Sequence, residues 1–362
     1  MKQKHTVCII GVFPPPIHGL SLVNDAMRKL ILNIDHNSSV FDLSSLTLNR
    51  AFYNISIRFI KFLYIYPKYI ILSLSKRYHT LYLGLSGGHG QFYDLLILLI
   101  AKITRQRIFI HHHSFSYLNK INLITYLVIW IAGLNATHIV LCTQMQKKLK
   151  RYRNNLSCKL LSNSVFSLDN NIIFSKNRKL KTIGFLGNIS IKKGIKIFFD
   201  ILDKLNHNNA VKGIIGGPFQ DNKSKIFTIN EVKKCSYISY LGPLYFKKKE
   251  EFFNSIDVLL MPSILEEAEP LVIHEGMSHG IPVIAYDKGC IKEIIRNDHG
   301  LVVDLNQNFI KHAVNLLNSW IDDPNLFNEI RANALHSYIK TKEMSKISLE
   351  NILSQITNNL ND

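Results

Sequence analysis

Two doubly wound α/β domains, each a parallel sheet flanked by helices, are predicted by three features of this 362-residue chain. Short apolar runs of strand length alternate with longer helical stretches, the pattern of parallel strands joined by crossover helices. The alternation is interrupted by a polar segment at 166–180 and then resumes. The length suffices for two cores, and 47% of the residues are hydrophobic.

The elements follow in order. In the first half a strand at 6–11 runs into a loop at 12–19 and a helix at 20–32. Further strands are predicted at 81–85, 108–111 and 138–141, with apolar helices at 95–103 and 121–133 between them. The second set has strands at 182–187, 211–217, 238–242, 258–261 and 282–285, then helices at 314–321 and 347–360. The predicted boundaries are a first domain at 1–165, a linker at 166–180, a second domain at 181–340 and a final helical segment at 341–362. Ligand in such sheets sits at the carboxyl ends of the strands.

Charge is distributed unevenly. The formal net charge is +18, yet residues 1–165 hold 20 Lys and Arg against four acids, and no glutamate precedes Glu231. The first half therefore should meet something anionic. Its basic residues are mixed with aromatics. Phe59, Phe62, Leu63 and Tyr66 are predicted on one helical face with Arg58 and Lys61 alongside, the pattern of an interfacial helix on an anionic bilayer. Nucleic acid is not the expected partner: no zinc spacing, RNP-like motif or helix-turn-helix signal accompanies the charge. The five cysteines are scattered without a C-x-x-C pair, which suggests a reducing cytoplasm. No secretory leader is expected, because an apolar strand follows Met1 to Thr6 at once. The apolar stretch 121–136 is short for a membrane span and reads as a buried helix.

The densest chemical signal is Glu267-Ala268-Glu269-Pro270-Leu271-Val272-Ile273-His274-Glu275. Pro262-Ser263 and 266–270 are turn and helix-start residue types, and Leu271, Val272 and Ile273 open an apolar helical face that Gly280 ends. A helix beginning at Pro270 and Leu271 offers unpaired N–H groups and partial positive charge, which suits an anionic ligand such as a diphosphate. Carboxylates beside it suit sugar or ribose hydroxyls better than phosphates. The outline is a sugar-nucleotide site.

This stretch resembles the E-x7-E signature of family 4 retaining glycosyltransferases, which have the GT-B fold. The likeness extends upstream through Asp257-Val258-Leu259-Leu260-Met261-Pro262-Ser263. Downstream it covers Glu275-Gly276-Met277-Ser278-His279-Gly280-Ile281-Pro282-Val283-Ile284-Ala285, then Gly289, Glu293 and Gly300-Leu301-Val302. It is tightest over 257–302. It implies two Rossmann-like domains facing across a cleft, the first binding the acceptor and the second a nucleotide sugar, with the last helix crossing back to the first.

In that family an Arg just after a strand and the Lys of a K-G pair hold the donor diphosphate. Lys193 of Lys192-Lys193-Gly194 takes the Lys place, and Asn188 stands where the Arg would be, with Lys192 the nearest substitute cation. Pro14-Pro15-Pro16-Ile17-His18-Gly19 stands in place of a glycine-rich loop, leaving Gly19 to let backbone N–H groups approach the donor. His111-His112-His113-Ser114 resembles the family's histidine loop beside the donor sugar. His111 and His113 share one face of a strand and His112 points to the other, so the three do not ligate one metal. His113 aligns best with the catalytic position. Asn163 is read as a structural turn residue, and Gly216-Gly217-Pro218 and Gly242-Pro243-Leu244 resemble loops around the nucleotide base.

The reaction this implies is transfer of a sugar from a nucleotide diphosphate with retention. Glu267 holds the donor sugar's hydroxyls, Glu275 takes the ribose, and Pro270 and Leu271 present the helix start. With no Asp-x-Asp signature, neither metal nor cofactor is expected beyond the donor itself. The implied acceptor is a lipid-linked or lipopolysaccharide-type glycan in O-antigen, capsule or exopolysaccharide assembly. That setting is cytoplasmic, on an anionic surface at the inner face of the membrane. The competing class is a GT-B protein that binds or epimerises a nucleotide sugar without transferring it.

Overall fold

The computed structural model describes residues 6–45, 52–167, 174, 177–206 and 211–357. Most of the predicted linker at 166–180 lies outside them, as do residues 358–360 of the predicted last helix. The chain divides into two compact units, residues 1–166 with 344–362, and residues 167–343.

In the first unit β1 (Val7–Gly11), α1 (Gly19–Ile34), β2 (Ser39–Asp42), α2 (Phe52–Leu74), β3 (Thr80–Gly84) and α3 (Gln91–Ile103) come first. They are followed by β4 (Arg107–His111), α4 (Ser116–Asn119), α5 (Leu123–Ala132), β5 (Thr137–Val140), α6 (Thr143–Leu149) and β6 (Ser157–Leu160). The strands form a parallel sheet in the order β2-β1-β3-β4-β5-β6. Strands β1 and β3 are buried along their whole length, which is why they read as continuous apolar runs. Right-handed crossovers put α1 on one face of this sheet and α2 through α6 on the other.

The second unit holds β7 (Thr182–Leu186), α7 (Ile195–Asn206), β8 (Lys212–Gly216), α8 (Asn222–Lys234), β9 (Ile238–Tyr240) and α9 (Lys247–Ser255). Then come β10 (Val258–Met261), α10 (Leu271–Ser278), β11 (Val283–Tyr286), α11 (Ile291–Ile294), β12 (Gly300–Val303), α12 (Phe309–Asp322) and α13 (Pro324–Thr357). Its parallel sheet runs β12-β11-β10-β7-β8-β9. Alternate residues of β10 feed two cores: Val258 and Leu260 pack with Phe198, Leu317 and Trp320, while Leu259 and Met261 pack with Phe252, Ile273 and Met277.

Three differences from the sequence reading have physical causes. The edge strands β2, β6 and β12 carry no run of fully buried apolar residues, so periodicity does not mark them. The last helix is one element of 34 residues, more than twice as long as expected, because polar residues surround its apolar positions. From Met344 onward it belongs to the first unit, where Leu349, Ile352, Leu353 and Ile356 pack with Val7, Ile9, Met27 and Ile31. Third, the predicted aromatic face of α2 is split. Phe62 turns inward and stacks on Tyr66, whereas Phe59 and Leu63 face solvent.

Trp320 is 1% exposed and packs 5.9 Å from Phe327. Trp320→Ala is expected to destabilise the protein by about 3–5 kcal/mol through lost burial and a residual cavity, seen as a lower urea midpoint with the secondary structure retained below it.

Candidate functional site

The second unit brings Lys193 and Glu267 together. After β7 the chain passes Gly187 and half-buried Asn188 into a single 3-10 turn, Ile191–Lys193. Ser190 caps that turn, its hydroxyl accepting the Lys193 N–H at 3.2 Å. Gly194 closes it in the left-handed region (φ +87°), with its Cα so near the Pro262 carbonyl that a Cβ would collide. A side chain is excluded there by both conformation and space. The same approach lets the Ile264 N–H donate to the Lys192 carbonyl at 3.0 Å.

The loop between β10 and α10 is thus fixed against the turn. From it Glu267 accepts a hydrogen bond from the Lys193 ammonium through Oε1, and the Ser263 hydroxyl donates to the same oxygen at 3.1 Å. On the loop's other side Gly289 (φ +57°) sits against the Glu267 carbonyl, and the Cys290 N–H donates to Ala268 O at 2.8 Å. Pro270 is the N-cap of α10 and Leu271 its first residue, with no side chain capping the first turn. Lys192 is exposed, and the Asn188 side chain makes no hydrogen bond among the described residues.

Glu275 lies on α10, where its Oε1 accepts from Lys249 Nζ of α9 at 2.6 Å. Its Oε2 is buried without a hydrogen-bond partner among the described residues. Both side chains line a cavity of ≈ 360 Å³ together with Phe246, Phe253, Ser278 and His279. Phe246 stands at the rim, 82% exposed and at φ +47°, a conformation unfavourable for a non-glycine residue. Lys249 and Phe246 were not singled out in sequence, and Ser263 was read only as a turn residue of the motif. Nothing in spacing signals Lys249, whose contact with Glu275 spans 26 residues. A second pair, buried His274 and Glu269 at 2.6 Å, ties the loop to α10.

In the first unit Gly19 opens α1, and a Cβ there would meet nothing within 4 Å, so its front is open without glycine being sterically required. His18 caps the helix, its Nδ1 accepting the Ser21 N–H at 3.3 Å. His111 and His113 lie on one side with ring centroids 4.0 Å apart, and the Tyr82 hydroxyl is 2.8 Å from His111 Nδ1. His112 points the other way, bonded to the Tyr117 hydroxyl at 3.0 Å and to His138 at 2.9 Å. His113 Nε2 is buried without a hydrogen-bond partner among the described residues. Asn163 is buried in a 3-10 turn. Burial depresses all four imidazoles, His113 to about 3 and His138 to about 4.

With this geometry in place, comparison with known proteins is informative. Residues 169–337 match the family model of glycosyl transferases group 1. The sulfoquinovosyl transferase SQD2 of Arabidopsis thaliana is 32% identical over 114 residues, 31% of this chain and 21% of that protein. An uncharacterized glycosyltransferase of Haemophilus influenzae is 24% identical over 241 residues, 64% of each. This chain therefore spans about a fifth and under two thirds of the lengths of these relatives. Anabaena Alr3699/HepE in complex with UDP superposes with a TM-score of 0.69 at 16% identity, covering 96% of this chain and 100% of that one. Sucrose-phosphate synthase from Thermosynechococcus elongatus gives 0.70 at 15% identity, covering 98% and 99%. The fold is that of the GT-B glycosyltransferases.

The depressed histidines make stability pH-dependent. The unfolded chain protonates its imidazoles near pH 6.5 while the folded one resists until pH 3–4. Their contribution is complete above about pH 6.5 and is lost as pH falls, at about 1.4 kcal/mol per pH unit for each histidine. Buried Asp94, raised to about 6, works in the opposite sense over the lower part of that window, as one carboxyl against four imidazoles. Urea midpoints are expected to fall from pH 7 to pH 5, and His138→Gln to flatten that dependence.

Proposed function

We propose that the chain is a retaining, metal-independent glycosyltransferase that moves a sugar from a nucleotide diphosphate to a lipid-linked or lipopolysaccharide-type glycan. The observation that carries this reading is the Lys193–Glu267 contact beside the start of α10. It sets an anion-binding ammonium and a hydroxyl-accepting carboxylate within one hydrogen bond of each other. That matches the junction of a diphosphate and a sugar, which presents negative oxygens on one side and hydroxyls on the other. The glycosyl transferase family match over 169–337 supports the same reading.

The roles follow from charge. As the glycosidic bond to phosphate breaks, the leaving diphosphate gains negative charge, which Lys193 and the free N–H groups of the α10 first turn, at Leu271 and Val272 just after Pro270, stabilise. Asn188 adds a neutral donor. Glu267 accepts from the sugar's hydroxyls and supports positive charge developing at the anomeric carbon. Glu275, held by Lys249, has one buried oxygen unused, and we assign it to the ribose hydroxyls, with the adjacent cavity taking the nucleoside. By the resemblance Gly19 is assigned to the donor and His113, with its unpartnered Nε2, to catalysis. A front-side displacement, in which the leaving phosphate oxygen takes the acceptor's proton, accounts for retention without a nucleophile. The charge of residues 1–165 supports an anionic acceptor in surface polysaccharide assembly, at the inner face of the cytoplasmic membrane. A structural neighbour was crystallised with UDP-glucose, which makes UDP-sugars the first donors to test.

The test is release of nucleoside diphosphate from a panel of UDP- and GDP-sugars, with membrane lipid extract as acceptor and EDTA present. Turnover is expected with one donor, dependent on the extract and insensitive to EDTA. Nucleotide binding without turnover on any donor would instead identify a binding protein, and conversion of the donor without acceptor an epimerase.

Two variants separate the roles. Lys193→Ala is expected to lower turnover by about 10²–10³-fold, as loss of one transition-state donor does. Glu275→Ala is expected to raise the donor KM by about 10-fold or more with a smaller effect on kcat, consistent with a lost hydrogen bond to a charged group.

A further inference from the structure

Helices α2, α3 and α5 cover the same face of the first sheet, and each turns apolar side chains outward as well as inward. On α5 the buried side is Thr125, Val128, Ile129 and Ala132, while Leu123, Tyr126, Leu127 and Trp130 recur at i, i+3, i+4 and i+7 on the solvent side. Leu123 is 71% exposed and Trp130 62%. The outward arc of α2 runs from Phe59 and Leu63 through Tyr64 to Ile71, with Tyr64 77% and Ile71 67% exposed. Phe92, Leu99 and Ile103 do the same on α3 between them. Among the described residues, more than half of the exposed large apolar side chains lie within 59–134. A surface helix normally carries polar residues on that side, and an apolar area spread over three helices marks an interaction surface.

The charges around it identify the partner. Across 52–134 there are nine Lys and Arg and one acid, Asp94, which is fully buried, and Lys61 is paired with Asp42 of β2. Lys68 lies beside the outward arc of α2, and Lys76 and Arg77 follow its end. A face with this unbalanced positive charge repels a second copy of itself. It complements a surface that is negative at the rim and apolar beneath, which is an anionic lipid bilayer. Among the described residues no helix is long and apolar enough to cross a membrane.

We propose that the outward faces of α2, α3 and α5 form one membrane-docking surface that lies in the plane of an anionic bilayer, with Tyr64, Ile71, Leu123 and Trp130 inserted and the lysines at headgroup level. This deepens the lipid-acceptor reading by naming the surface through which the protein would reach such an acceptor. Docking itself requires no donor and no turnover.

The chain's two tryptophans make the test direct, because Trp130 lies in this face and Trp320 is buried in the second unit. Adding phosphatidylglycerol–phosphatidylcholine vesicles is expected to shift the emission to the blue and to carry the protein into the vesicle pellet, and Trp130→Phe to abolish the shift. Pure phosphatidylcholine vesicles should bind far less. The triple variant Tyr64→Ser, Ile71→Ser, Trp130→Ser should lose at least about 10-fold in partitioning, since each side chain removes apolar area from the insertion. Lys68→Gln with Lys76→Gln should lose roughly 30-fold at low salt. Both variants should keep the wild-type circular dichroism.

The proposal is overturned if anionic vesicles produce neither shift nor pelleting, or if the triple variant binds them as wild type does. It is also overturned if sedimentation equilibrium finds a wild-type oligomer that the triple variant dissolves. Vesicle binding without sugar transfer would refute the transferase reading alone, and transfer without vesicle binding would refute this one alone.

Discussion

The chemistry proposed for the second unit depends on a close approach of two backbones, the left-handed turn at Gly194 against the Pro262 carbonyl. With no Cβ at 194, the 3-10 turn lies directly on the end of β10, and the Lys192 carbonyl can pin Ile264. That sets Lys193 opposite Glu267. A second glycine, Gly289, presses on the other side of the same loop, at the Glu267 carbonyl itself. A loop held between two positions where only hydrogen fits has little freedom, so the carboxylate is placed by backbone rather than by its own rotamer. The buried His274–Glu269 pair extends that fixation into α10.

The first unit carries a different constraint. Beneath its strand ends lie four histidines and two tyrosines in hydrogen-bonded or stacked contact, so deep that burial holds the imidazoles neutral. A polar cluster there is sustained only by mutual pairing, since each buried polar group left alone is costly. Three atoms of the cluster, His111 Nε2, His113 Nε2 and His138 Nε2, are buried without a hydrogen-bond partner among the described residues. On the outside of the same unit the balance is reversed. Apolar residues stand where a water-facing helix would carry charge, and basic residues gather around them.

Legibility in the sequence followed burial. Strands β1, β3, β10 and β11 were readable because they are buried along their whole length, and β4, β7 and β8 because apolar residues stand at their middle. The edge strands β2, β6 and β12 lack that cover and passed unnoticed. The order of Glu267, Pro270, Leu271 and Glu275 was readable because one loop-to-helix segment carries all four, and local spacing is what a sequence displays. On α2 the aromatic cluster was visible but its orientation was not. Phe62 and Phe59 are three residues apart, and which of them faces the sheet is decided by where α3 packs, as Phe62 against Tyr93 shows.

The sequence by itself determined two parallel α/β units, the segment that holds the paired carboxylates, and the concentration of positive charge in the first half. These are properties of composition and short-range period, and they survive any arrangement of the elements. Only the tertiary structure decided that Lys193 meets Glu267 across 74 residues, that Lys249 holds Glu275, and that three helices present their second apolar faces on one side. Each of these depends on how far one element has slid or turned against another. Such placement is set by close packing between residues distant in the chain, so no local pattern encodes it.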